Sequence, residues 1–311
     1  MGAEVLRSVA RTWDRLWFSR TSSQHYAVLR IAFGLAGLLY LVGFTPVSMY
    51  WPVNSVAPQP GGGIGLRAAL QSAGYGTVAG WMLFVGLAAA FACMAAGVKS
   101  RWAVLACLLG TVAQKSWNVF PLTSAHDVLT ATLFYLVWAD TGATLSVDAW
   151  LARRRGTELA QTQYVWPLRL IRFQVALLYL NSGLWKLLAG AWQDGSAIYY
   201  ATSQNIFHRF PWPIPEWADP ILTAGAYATL LWEISFPVLV LNRRTRTLAL
   251  VTGVLVHVGI WLSIEVGAFS LMILCTYLAF LDSSTIEVVV RRLSGHVSRH
   301  RRDLVSAPAA Q

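Results

Sequence analysis

Lys186, His126, His257, Arg172 and Glu233 are ionisable side chains set inside long apolar runs. Such groups are costly to hold away from water, and they usually face one another or a functional cavity. Lys186 lies in RFQVALLYLNSGLWKLLAGAW, with Asn181 and Ser182 about a turn before it. An ammonium deprived of water gives up its proton and can then serve as a neutral base. The plainer reading is a lysine that snorkels to the headgroups. His126 opens its apolar run and is followed by Asp127; it is either an interfacial residue or a neighbour of Lys186 at the same depth. His257 sits in the middle of VLVHVGIW, where an imidazole needs a hydrogen-bonding partner. Arg172 and Glu233 fall six and eight residues from the inner ends of their runs. At about 1.5 Å per residue their depths agree, so they are expected to form a structural ion pair.

The elements that carry these groups follow from composition. The 311 residues are 56% apolar and only 12% charged, against about 25% charged residues in soluble domains. A chain so poor in charge cannot cover a water-facing surface. Eight runs are long and apolar enough to be read as membrane helices: Tyr26–Phe44, Gly76–Val98, Trp102–Lys115, Thr123–Ala139, Trp166–Ala189, Asp219–Leu241, Thr247–Ser263 and Val266–Leu281. The fold expected is therefore all-α, a polytopic membrane helix bundle of about eight transmembrane helices.

The net charge of +10 would suggest nucleic acid on a soluble protein. Here it sorts by side. Seventeen Lys and Arg fall in the two tails and alternate connectors, including Arg153–Arg155 and Arg243, Arg244 and Arg246; three fall in the others, Arg67, Lys115 and Arg209. This is a positive-inside pattern with both termini cytoplasmic. No nucleic-acid partner is expected; the lipid bilayer is. Residues 1–20 place Val5, Leu6, Val9, Trp13, Leu16 and Trp17 on one helical face and Arg7, Arg11 and Arg15 on another. They read as an amphipathic helix on the inner leaflet, followed by the bundle over 21–285 and a basic cytoplasmic tail over 286–311. The location expected is the inner (plasma) membrane, multi-pass, with the site toward the extracytoplasmic side.

Cys93, Cys107 and Cys275 are unpatterned small core residues, and no metal site is expected. GGGIG at 61–65 lacks the Lys-Ser/Thr of a phosphate loop and reads as a flexible connector. The aromatic, Pro-rich connector over 190–217 is expected to fold back as a lid over the outer mouth.

Three segments in order, SAHDVLTATLFYLVWADTGATLSVDAW, QVALLYLNSGLWKLLAGAWQDGSAI and HVGIWLSIEVGAF, resemble the HTTM domain, the membrane domain shared with vitamin K-dependent gamma-carboxylase. The likeness covers roughly residues 20–285. It implies that Lys186 is the base that deprotonates a reduced quinone, that His126 lies beside that quinone, and that His257 helps to bind it. Asn181, Trp185 and Trp192, in the same segment as Lys186, are expected to line it. In that chemistry oxygen adds to the quinol anion, the strong base so formed removes a proton from a glutamate side chain, and carbon dioxide adds to the carbanion. The implied cofactor is reduced vitamin K or menaquinol, with O2 and CO2 as co-substrates. Ala125 and Trp185 stand where the carboxylase pattern has Asn and a second Lys. The large extracytoplasmic domain that recognises the protein substrate also has no counterpart in these residues. The resemblance therefore carries quinol binding further than carboxylation of a protein.

The expected function is that of a quinol-dependent, carboxylase- or epoxidase-like membrane enzyme with a lysine base. The alternative is a non-carboxylating factor for maturation or export of a secreted peptide toxin, of the sporulation-delaying-peptide type, with a small secreted peptide or protein as its partner.

Overall fold

The computed structural model describes residues 2–43, 73–117, 123–204, 207, 209 and 214–292. The GGGIG connector and residues 293–311 lie outside them. In chain order the helices are α1 (Gly2–Trp17), α2 (Ser23–Val42), α3 (Gly76–Ala96), α4 (Ser100–Trp117), α5 (Ser124–Leu136), α6 (Val147–Arg154) and α7 (Trp166–Leu188). Two short ones, α8 (Gly190–Gln193) and α9 (Ala197–Ser203), precede α10 (Asp219–Leu241), α11 (Arg246–Ser263), α12 (Phe269–Tyr277) and α13 (Ser283–Arg292). Each of the eight apolar runs is helical over most of its length, and Asp219–Leu241 is helical over the residues expected.

Among the described residues four helices are long and apolar enough to cross a membrane: Ser23–Val42, Gly76–Ala96, Glu216–Leu241 and Arg246–Ser263. The run Phe269–Phe280 turns by 109° into α13, so the boundary expected between 285 and 286 falls inside a helix. The other runs are shorter or more polar; α7 alone carries Arg169, Arg172, Asn181 and Lys186.

Helix ends follow local chemistry. The Thr123 and Ser146 side chains accept backbone N–H groups at the starts of α5 and α6, as good N-caps do. Gly97 closes α3 in the left-handed conformation, φ 72°, which costs glycine no steric strain. The Asp148 carboxylate accepts the N–H groups of Lys99 (2.8 Å) and Ser100 (2.7 Å) at the start of α4. Arg30, in the first half of α2, is completely buried. Its guanidinium donates to Ser100 Oγ and the Leu145 carbonyl.

The helices pack as one bundle, α2–α3–α4–α5 on one side and α7–α10–α11–α12 on the other, with α12 against both α2 and α5. Tyr26, Phe33, Leu129, Leu133, Ile171, Met272, Ile273 and Phe280 fill the seam. A two-stranded antiparallel ribbon, β1 (Arg20–Ser22) with β2 (Thr162–Tyr164), ties the two halves at the end where α2 and α7 begin. The apolar side chains of α1, Val5, Leu6, Val9, Trp13 and Leu16, are exposed. Arg169 of α7 donates to the Leu16 carbonyl and holds that helix to the bundle.

Candidate functional site

The register between α7 and α10 decides the site. A Cβ built on Gly183 would lie 2.8 Å from Ile234 Cγ1, 3.1 Å from Ile234 N and 3.3 Å from Glu233 Cβ. Glycine there lets the two backbones approach closely, as small residues do between membrane helices. Lys186, one turn further along α7, then places Nζ 2.5 Å from Glu233 Oε1. The Lys186 and Glu233 side chains are 24% and 8% exposed. Nζ also lies 4.5 Å from the centroid of the Trp192 ring on α8, a cation–π contact.

This corrects the ion pair expected from sequence. Arg172 does not meet Glu233; its Nε donates to the Ala279 carbonyl at 2.6 Å. Equal counts from the inner ends imply equal depth only if the two helices end flush, and they are staggered. Arg172 precedes Gly183 by 11 residues, about 16 Å of helix. The depth of Lys186 changes for the same reason. Its partner Glu233 lies 14 residues into α10, about 21 Å from that helix's first residue. The pair is thus deep in the bundle. The chain after α7 folds back along the first half of α10: Tyr227 donates to the Gln193 carbonyl at 3.0 Å, and Gly195 packs beside Thr223 and Tyr227. Further along this connector, Arg209 pairs with Glu265 at 2.8 Å, and the Phe207 carbonyl accepts the Glu265 N–H at 2.9 Å. Its described part therefore reaches across to the α11–α12 corner.

His257 sits beside this pair in a hydrogen-bonded cluster. The Tyr179 hydroxyl is 2.7 Å from His257 Nε2 and 2.6 Å from the Tyr277 hydroxyl. Its ring packs on Trp232 and Phe236, which flank Glu233 on α10. Gly253 on α11 leaves room for the Tyr277 hydroxyl. The proton order Tyr277 to Tyr179 to His257 satisfies both contacts. The tyrosines escape a search for ionisable groups, although Tyr179 precedes Lys186 by seven residues, two turns on one helical face. Tyr179→Phe removes both interhelical bonds and is expected to cost about 1–3 kcal/mol. Thermal unfolding in detergent measures it; an unchanged midpoint would mean the cluster does not hold α7 to α11 and α12.

His126 belongs to a different place. Its Nδ1 lies 3.2 Å from the Tyr40 hydroxyl of α2. The structure thus brings Lys186 together with Trp192 and Glu233, puts His257 with the tyrosines, and sets His126 against α2. Asn181 and Trp185 are exposed on the outside of α7. Between the two centres lies a cavity of about 60 Å³ lined by Asp127, Thr132, Tyr135, Gln174 and Thr276, among others. That is room for about two waters, and too little for an aromatic head group.

Glu233 Oε2, His257 Nδ1 and His126 Nε2 are three of the twelve buried side-chain atoms without a hydrogen-bond partner among the described residues. Buried polar atoms are normally satisfied, and a bound hydroxyl could satisfy these three. An amine, a carboxylate with one unpartnered oxygen and an indole face could hold a ligand that is apolar in body and carries an acidic hydroxyl.

Membrane-length helices around buried polar centres define a multi-pass membrane helix bundle. The HTTM domain matches residues 18–284, and the chain belongs to that family. Two proteins of Bacillus subtilis (strain 168) are similar to it. Sporulation-delaying protein SdpB is 28% identical over 131 residues, 39% of either chain. The uncharacterized protein YitO is 30% identical over 146 residues, 44% of this chain and 46% of its own. The chain thus spans less than half the length of these curated relatives. No solved structure matches it.

Proposed function

We propose that this HTTM protein is a membrane enzyme of the quinol-dependent, carboxylase- or epoxidase-like kind, built around Lys186. Eight crossings with both termini cytoplasmic, α1 on the inner leaflet of the plasma membrane and a site reached from the extracytoplasmic side complete the reading. The observation that carries it is the Lys186–Glu233 pair: an acid and a base in contact, deep in an apolar bundle, beside an aromatic face. A reduced quinone would supply the oxidisable ring. Trp192 would hold that ring, Lys186 and Glu233 would manage its hydroxyl proton, and the apolar surroundings would keep water from the reaction. His257, tied to the same centre through Tyr179, would steady its far side.

The test is epoxide formation by purified protein in nanodiscs given vitamin K1 hydroquinone or menaquinol, oxygen and bicarbonate. Wild type is expected to form epoxide and Lys186→Ala to lose at least about 100-fold, the usual scale for removing a group that takes up a proton or stabilises the charge left behind. Absence of epoxide from the wild type would sink the reading.

The similarity to the sporulation-delaying protein favours a second reading, a factor for maturation or export of a small secreted peptide. It predicts that deleting this gene stops secretion of a peptide encoded beside it, whether or not quinol is consumed.

A further inference from the structure

We infer that Glu233, rather than Lys186, receives the substrate proton, while the Lys186 ammonium stays in place as counter-charge to the anion that forms. This rests on the quinol reading above and sharpens it. Nζ is engaged twice, by Glu233 Oε1 at 2.5 Å and by the Trp192 ring at 4.5 Å. Both partners reward a cation: a carboxylate oxygen attracts ammonium, and the indole face gains little from a neutral amine. One proton shared by the pair also leaves the buried centre electrically neutral. The basic atom left uncommitted is Glu233 Oε2, which is buried and has no hydrogen-bond partner. A substrate hydroxyl brought against it would find an acceptor with no other partner.

The step balances. The substrate O–H bond breaks, its proton bonds to Glu233 Oε2, and the electron pair stays on the substrate oxygen. Before the step the charges are ammonium +, carboxylate − and a neutral hydroxyl. Afterwards they are ammonium +, a neutral carboxylic acid and oxygen −. No net charge is created in the apolar bundle, where an unpaired charge would be most costly.

The experiment compares wild type, Glu233→Gln and Lys186→Arg in nanodiscs without oxygen, using vitamin K1 hydroquinone as probe. Ultraviolet absorption reports whether the bound hydroxyl is ionised, and infrared difference spectra report a protonated carboxyl. Wild type is expected to show both signals. Glu233→Gln, nearly the same shape, binds the probe but loses both. Lys186→Arg keeps both, since a guanidinium supplies charge and cannot act as a base. Ionisation at the wild-type level in Glu233→Gln overturns this assignment and leaves the quinol reading standing. A wild type that neither binds nor ionises the probe overturns both. Glu233→Gln decides the question even if Lys186→Arg does not fold.

Discussion

Lys186→Met is expected to destabilise the bundle by about 3 kcal/mol, the lower end of what removing one partner of a buried ion pair costs. The lower end applies because the lysine side chain retains 24% exposure while Glu233 retains 8%. The loss comes less from the missing attraction than from the carboxylate left behind, with one oxygen already unpartnered. Adding Glu233→Leu should therefore restore most of the stability, because an apolar pair in such a site is often as stable as the ionic one. Thermal unfolding of the two single variants and the double variant in detergent forms the cycle. A loss in the double variant equal to the sum of the two single losses would show that the pair contributes nothing to the fold. Recovery of stability without recovery of epoxide would separate the pair's chemical role from its structural one.

Gly183→Ala should cost about 1–3 kcal/mol, the range for overpacking a well-filled interior, and should weaken activity more than a stability loss of that size explains. The added methyl meets Ile234 Cγ1 at 2.8 Å and the Ile234 backbone nitrogen at 3.1 Å. The side chain can turn away, but the backbone of α10 cannot, so the helices must separate or slide. Lys186 reaches Glu233 from one turn beyond that contact, and the 2.5 Å pair is the first interaction to open. Gly259→Ala on α11 is the control, because nothing lies within 4 Å of its built Cβ. Unfolding midpoints and epoxide rates for both variants test this. A Gly183→Ala protein as stable and active as wild type would mean that α7 and α10 do not need this close approach.

Much of the architecture is legible without coordinates. A run such as Asp219–Leu241 must be helical wherever water is absent, because only a helix satisfies every backbone group within one apolar segment. The observed helix has those bounds. The amphipathic first helix is legible for the same local reason, since its exposed apolar face follows from 3.6 residues per turn. Lys186 and His257 are also conspicuous in sequence, as ionisable groups within apolar runs.

Which of these groups meet is another matter. Depths counted from helix ends pair Arg172 with Glu233 and set His126 beside Lys186. The structure instead gives Arg172 to the Ala279 carbonyl, Glu233 to Lys186 and His126 to Tyr40. Helix formation is local, so the residue types and their periodicity determined where the helices lie. The sliding of α7 along α10 depends on one glycine fitting against Ile234, fifty-one positions away in the chain. Only the packed structure could decide that a lysine near the end of its helix is a deeply held partner of Glu233.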